Sequence, residues 1–469
     1  MKNKNLLKYV GLGVKKKEPD IVKFWHQGNY RPVNEEVTET ALPIEGAIPP
    51  ELSGLYVRNG TNHSHGPSEH FFDGDGMLHG IRLENGQAKW YRNRYVDTPV
   101  YRKENRKLRP RQVDTSSAVS LIYHGGQLLS LGEIGCPYVI DPDDLSTVGT
   151  YTYDGQLPNN MTAHPRIDPL TGELLFFGYN VVSPYLTYMR ADASGKMLQV
   201  EPIEMSGASM IHDFAVTDNY VVFMDMPLRF SWSTLIKEGK GGMPFRWSEK
   251  HSCRFGVMPR AGTNADIKWF DIPPCFIFHI MNSFDQDDDV VIDAARYDRL
   301  WVENSHDFFH PARLSRFRMN MKTGQASVEE MFNKSMEFPQ VSRKYWTKPY
   351  RYGYSVVVDE ANTTPEKVND AGGGIYKYDL QTGELDTWSS DYEIPGEPFF
   401  VPAHNCGGGE DEGYLLSFSY NKKTDISEFC IFDATHLSVG PVAKVKLPVR
   451  VPVGFHGVWV DDEISAARC

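Results

Sequence analysis

The sequence predicts an all-β protein built by repetition of hairpins. Three observations carry this: short strand-type runs dominate, one hairpin pattern recurs through the chain, and long helical periodicity is scarce. Runs at 127–131, 174–177, 220–224, 290–292 and 414–418 are brief, apolar or aromatic, and bounded by Gly, Asp, Asn or Pro. The recurring pattern is a strand, an Asp or Asn, a short turn that often holds Gly, and a second strand. It occurs as YVIDPDDLSTVGTYTY (138–153), FRMNMKTGQASV (317–328), IYKYDLQTGELDTW (375–388) and CIFDATHLSVGPVAKV (430–445), and more loosely as YLTYMRADASGKMLQV (185–200). Asp and Asn hydrogen-bond the backbone just ahead of them, and Gly accepts the left-handed conformation that tight turns need. A hairpin echoed in this way suggests radial repetition, as in a β-propeller, which leaves only short sheet edges open. The repeats are too degenerate to count blades, and a pair of packed β-sandwiches answers to the same pattern.

The chain has 469 residues and a mass of 53.3 kDa. That length allows about three domains of roughly 150 residues each. No linker or low-complexity block divides it, however. The stretch 407–413, GGGEDEG, sits between two strand-type runs and reads as a loop. We therefore expect one domain over 1–469, with 1–35 as an N-terminal arm. Hydrophobic residues make up 41% and charged residues 23%, as in ordinary globular proteins. The net charge of -12 argues against a nucleic-acid partner, since phosphate backbones select clustered Lys and Arg. Lys15, Lys16 and Lys17 form a small basic cluster within the arm.

The six cysteines (Cys136, Cys253, Cys275, Cys406, Cys430 and Cys469) include no CxxC pair, so neither a zinc ribbon nor a disulfide-dense secreted domain is indicated. The opening stretch has a basic start, but its apolar run is broken by Lys8 and no small-residue cleavage site follows. Without an apolar run of about 18 residues, a cytoplasmic, reducing location is expected.

Of 15 histidines, four lie in short segments of similar character beside strand-type sequence. These are MTAHPRIDP around His164, MIHDFAVTD around His212, FHIMNSFD around His279 and VGFHGVWV around His456. Neutral imidazole suits iron, copper, zinc or nickel, and a propeller brings distant residues to one axis. Taken singly, each reads as an ordinary buried histidine, so spacing alone does not establish a site. His63, His65, His70 and His79 cluster in sequence but match no zinc-finger or HExxH spacing, and a polar loop is expected there. DGDGMLHGIRLE (73–84) has acids at the first, third and twelfth positions of a calcium loop. Met77 and Leu78 occupy the positions that need a ligand and a glycine, so that reading fails.

Taken together, a series of motifs resembles the carotenoid cleavage oxygenases, a family that includes stilbene-cleaving enzymes and the visual-cycle retinoid isomerase. The motifs run in the family's order: GLYVRNG (54–60), FFDGDGMLHG (71–80), LLSLGE (128–133), TAHPRIDPLTGELLFFGY (162–179) and IHDFAVTDNYVVF (211–223). FHIMNSFD, MEFPQV (336–341), EPFFVP (397–402), EDEGYLL (410–416) and LPVRVPVGFHG (447–457) continue it. The resemblance implies a seven-bladed propeller, capped over the metal face by loops and short helices that enclose a substrate tunnel. It implies that His164, His212, His279 and His456 bind one Fe(2+) per chain, with O2 as co-substrate. It also implies that Glu133, Glu337 and Glu397 stand behind the histidines, where carboxylates fix imidazole tautomers and supply counter-charge.

Some positions depart from common family patterns. Val119 stands where many members carry Thr near the open metal positions, and Gly132 stands where stilbene-cleaving members carry a Lys that engages the substrate phenol. Both bear on substrate or O2 access. Ser283 and Asp285 replace the more frequent Ala and Glu after His279.

The expected reaction is cleavage of a conjugated C=C of a carotenoid or apocarotenoid by O2, giving carbonyl products. Cleavage of a stilbenoid or phenylpropanoid alkene is the alternative. Redox-neutral ester cleavage with isomerisation, and a non-catalytic propeller scaffold, are competing classes. The expected partner is a small, apolar, conjugated substrate, and the oligomeric state stays open. PLRFSWSTLIKEGKGGMPFRW (227–247), read as a loop, and the stretch 6–14 suit peripheral membrane contact.

Overall fold

The recurring hairpins form the third and fourth strands of successive four-stranded antiparallel units. The computed structural model describes residues 23–462, except 67, 69, 105–113, 239–242, 309, 359–371 and 404–407. Within it, Tyr138–Ile140 and Thr147–Thr150 form one such hairpin, and Leu186–Ala191 and Met197–Ile203 the next. Ala312–Asn320 with Ala326–Gln340, Gly373–Asp379 with Glu384–Ser390, and Ile426–Asp433 with Pro441–Lys446 form three more. The side chains named by the sequence shape their turns. Oδ1 of Asp192 accepts the backbone N–H groups of Ser194 and Lys196, Oδ1 of Asn320 those of Lys322 and Thr323, and Oδ1 of Asp379 those of Gln381 and Thr382. Gly195, Gly324 and Gly383 follow with φ of 90°, 78° and 75°, where a side chain would be strained.

Among the described residues these units number seven, the blades of a β-propeller. The first strands of blades two to five are Ser120–His124, Arg166–Ile167, Ala215–Val216 and Phe276–Gln286. The strand Ala326–Gln340 serves two blades: its first part pairs with Ala312–Asn320 to finish the fifth, and its end pairs with Tyr352–Val357 to begin the sixth. The seventh begins at Phe399–Pro402. The first blade is assembled from both ends of the chain, because Gly54–Asn62 pairs on one side with Asp75–Glu84 and on the other with Gly457–Asp461.

Core packing closes the ring. One apolar cluster joins Tyr56, Ile81 and Tyr91 of the first blade to Phe418, Phe429 and Ile431 of the seventh. Another joins Leu55, Val57 and Leu78 of the first to Leu121, Leu128 and Tyr138 of the second. Two packed sandwiches would not bury the first unit against both the second and the last, so that alternative is overturned.

Cover is added where strands are interrupted. The turns Phe24–His26 and Gly28–Tyr30 pack their aromatic rings with Phe71, Phe308 and Phe455. Within the fourth blade, 227–247 is not a plain loop. It forms a small hairpin, Leu228–Phe230 with Phe245–Trp247, enclosing the helix Trp232–Glu238. The membrane-contact expectation at 6–14 lies outside the described residues. No helix among those described is long and apolar enough to cross a membrane.

Buried ion pairs brace individual blades. Asp293, fully buried, accepts two hydrogen bonds of 2.7 Å from Arg316 and one of 2.8 Å from the Tyr350 hydroxyl. Asp293→Ala leaves the guanidinium without its acceptor. It is expected to lower unfolding stability by ~3–5 kcal/mol, read as an earlier urea midpoint.

Candidate metal centre

The propeller places one short segment of each blade at the same end of its first strand. Those positions are occupied by His456 in blade one, Val119 in two, His164 in three, His212 in four, His279 in five, Glu337 in six and Glu397 in seven. Four histidines far apart in sequence therefore converge. Nε2 of His164 lies 2.9 Å from that of His212, which lies 3.3 Å from that of His279, which lies 3.1 Å from that of His456. All four ligand atoms lie within 4.8 Å of one another. Metal–imidazole bonds of ~2.0–2.1 Å put neighbouring nitrogens roughly 2.9 Å apart at right angles and about 3.4 Å apart at tetrahedral angles. The observed separations fall in that range.

Carboxylates behind three of the rings determine what faces inward. Nδ1 of His279 is 2.5 Å from Oε2 of Glu337, and Nδ1 of His456 is 2.8 Å from Oε1 of Glu397. Nδ1 of His212 approaches Oε2 of Glu133 to 2.8 Å, but at an angle too bent for a hydrogen bond. An ionised carboxylate only accepts, so Nδ1 of His279 and Nδ1 of His456 carry the ring's hydrogen, and the Glu133 charge beside Nδ1 of His212 favours the same tautomer there. In the neutral ring Nε2 is then a bare lone pair. Three bare lone pairs directed at one point, with His164 beside them, repel one another unless a cation lies between them. The residues therefore fit a divalent metal.

The local electrostatics agree. Burial opposes ionisation of Glu337 and Glu397, yet the imidazole on each outweighs it and holds both carboxyls below the usual range. Burial pulls His164 and His279 down, keeping them neutral. Burial also pulls on His212, but Glu133 overcomes it and raises that ring, as expected where the field favours positive charge.

Several supporting residues carried no local sequence signal. The Tyr179 hydroxyl donates to Glu133 (2.9 Å), the Tyr297 hydroxyl to Glu337 (2.7 Å) and the Gln340 amide to Glu397 (2.7 Å). Asp213 accepts from the backbone of Ile280 and pairs with Arg166, linking the His164, His212 and His279 segments. Phe338 has φ of 53°, unusual for a residue with a side chain. Its ring lies along that of His279, with centroids 5.3 Å apart.

The backbone of Val119 touches the centre, since its carbonyl accepts the His456 N–H at 3.1 Å. Gly132 is buried against the Thr115 hydroxyl, which occupies the space a side chain would need. Ser283 and Asp285 serve backbone roles: the hydroxyl bridges to Val216, and the carboxylate accepts from Asn219. In the other histidine group, His63, His65 and His70 do lie in a loop, but most of it is not solvated. His63, His70 and His79 are buried, and burial pushes His70 down to about 3. Nε2 of His70 bonds the Ser305 carbonyl, and Nδ1 of His79 the Tyr91 hydroxyl, each partner standing apart from the others. Residues 75–84 are a strand.

Beside the centre lies a cavity of about 400 Å³ whose wall includes Phe71, Phe308, Phe338, Phe455 and Glu337. Its aromatic lining suits an elongated apolar molecule.

Comparison with known proteins agrees with this geometry. A family model described as retinal pigment epithelial membrane protein matches residues 30–461. The carotenoid 9,10(9',10')-cleavage dioxygenase of Crocus sativus is 35% identical, covering 93% of this chain and 89% of that protein. The carotenoid cleavage oxygenase of Mycobacterium tuberculosis is 32% identical, covering 92% and 96%. Among solved structures, the lignostilbene dioxygenase of Pseudomonas brassicacearum aligns with a TM-score of 0.84 at 27% identity, covering 94% of this chain and 99% of that one. The cobalt-substituted apocarotenoid oxygenase of Synechocystis aligns with a TM-score of 0.82 at 26% identity, covering 93% and 98%. With its seven blades, its four converging histidines and relatives matched over nearly the whole of both sequences, the chain belongs to the carotenoid cleavage oxygenase family.

Proposed function

We propose that the chain is a non-haem Fe(2+) dioxygenase that cleaves a conjugated C=C of a carotenoid or apocarotenoid with O2, placing one oxygen atom on each carbonyl product. The observation that carries this reading is the convergence of four Nε2 atoms backed by Glu133, Glu337 and Glu397. When bound, Fe(2+) supplies coordination positions for O2 and the electrons that activate it. The protein's residues do the rest. Tyr179, Tyr297 and Gln340 hold the three carboxylates, and these hold the rings. Phe71, Phe338 and Phe455 exclude water and hold a flat polyene against the His279 side of the centre. The phenolic-alkene alternative has a relative in its favour, but Gly132 lacks the phenol-binding lysine and Thr115 fills its place.

The substrate class is thus small, apolar and conjugated, and the location proposed is cytoplasmic with peripheral membrane contact. Trp232 and Ile236, 62% and 81% exposed on the short helix, support such contact.

Iron-loaded protein should convert carotenoid and apocarotenoid panels to aldehydes or ketones, with 18O from labelled O2 in both products. Cleavage confined to stilbenoid and phenylpropanoid panels would overturn the substrate reading. Turnover that persists without O2 would overturn the oxygenase reading.

A further inference from the structure

The wall of the 400 Å³ cavity is completed by a segment that belongs to no blade. Phe24, Asn29 and Tyr30, from the two short turns of the arm, line it beside Phe71, Phe308 and Phe455. Phe24 packs edge-on against Tyr30, with centroids 5.1 Å apart and planes at 89°. Both rings meet Phe71, at 5.7 and 5.6 Å. Phe71 in turn meets Phe455 at 5.5 Å, and Phe455 precedes His456. A continuous wall of rings therefore leads from the metal centre to the arm.

The arm is fastened around these rings. Trp25, fully buried, stacks on the His306 ring with centroids 5.3 Å apart and planes at 11°. Side-chain nitrogens of Lys23, Trp25 and His26 reach the Ser68 carbonyl at 3.1, 3.4 and 3.3 Å. The Asn29 carbonyl accepts the Val453 N–H at 3.0 Å and Nη1 of Arg450 at 3.1 Å, and Arg450 also donates to the carbonyls of Arg31 and Pro32. Val453 stands three residues before His456, and three residues of chain span at most about 11 Å. The arm thus bounds the cavity at a short, fixed reach from the metal centre. Interlocked rings in a close-packed wall do not yield to one more methylene without strain. Phe24 and Trp25 precede residues 30–461, the part that the family model matches, so this end of the wall is not set by the family pattern.

We propose that Phe24 and Tyr30 are specificity-determining residues, the stop against which one end of a polyene abuts. They fix the length of chain between that end and the metal, and hence which double bond is presented for cleavage. This rests on the cavity being the substrate site of the proposed oxygenase.

The test uses a series of all-trans polyenes that share one end group and differ in length, bound to metal-loaded protein under argon and followed by quenching of tryptophan fluorescence. Wild type should lose about 10-fold or more in affinity on passing a limiting length, the discrimination that an apolar pocket gives against an added carbon. Phe24→Ala should raise the ratio of long-chain to short-chain affinity by about 10-fold or more, and Phe24→Trp should lower it. Under O2, Phe24→Ala should also lengthen the product released from the abutting end. A wild type without a length limit overturns the proposal. So does a ratio that Phe24→Ala leaves unchanged, or an equal loss at every length, which is what a merely structural role gives. If Phe24→Ala shows no cooperative melting, Phe24→Leu, which removes less of the ring's volume, decides by the same ratio. Failure of the wider oxygenase reading looks different: no product from any polyene under O2, while the affinity ratio still responds to the residue at position 24.

Discussion

Replacing His279 by Ala is expected to take bound metal from about one equivalent per chain to almost none and to abolish cleavage, with the far-UV spectrum unchanged. His279, like His212, stands between two other members of the set, its Nε2 within 3.3 Å of both His212 and His456. Removing it separates the remaining lone pairs and leaves the Glu337 charge facing a hole. The loss should exceed the ~100-fold upper range that outer partners of a metal ligand typically show. Metal analysis by plasma mass spectrometry checks the first expectation and product chromatography the second. A His279→Ala protein that retains stoichiometric metal would remove this ring from the ligand set.

Glu337→Gln is the more discriminating substitution. The amide keeps the size of the side chain and an oxygen for Nδ1 of His279, but it loses the negative charge. It also sets an NH2 against the Tyr297 hydroxyl, because Oε2 serves both His279 and the Phe338 N–H while Oε1 accepts from Tyr297. A loss of about 10- to 100-fold in metal affinity is expected, measured by competition with a chelator of known affinity. Glu133→Gln should cost less, because the Glu133 contact to His212 is bent and lacks hydrogen-bond geometry. Equal losses at the two sites would show that net charge, and not alignment, sets the affinity.

Much of this was legible in the sequence, but unevenly. The outer hairpins could be read because Asp, Asn and Gly must do specific backbone work at their turns, as Asp192, Asn320 and Asp379 do. The blade count could not, because Ala326–Gln340 belongs to two blades and hides the boundary. The four histidine segments were visible as short motifs. Their common position at the start of a first strand emerges only once the ring is closed. Tyr179, Tyr297 and Gln340 could not have been singled out, since a hydroxyl or amide that orients a carboxylate has no spacing of its own.

The joining of Gly54–Asn62 to Gly457–Asp461 also bears on biosynthesis. His456 immediately precedes the closing strand, so the fourth imidazole of the cluster and the strand that closes the ring are synthesised within a few residues of each other. A product truncated before His456 holds three of the four imidazoles and an open ring, and both are completed by the few residues that follow. A chain cut before His456 should therefore bind metal far more weakly than one whose ring is closed. Metal retention in a cell extract should accordingly report how much of the translated protein has closed its ring.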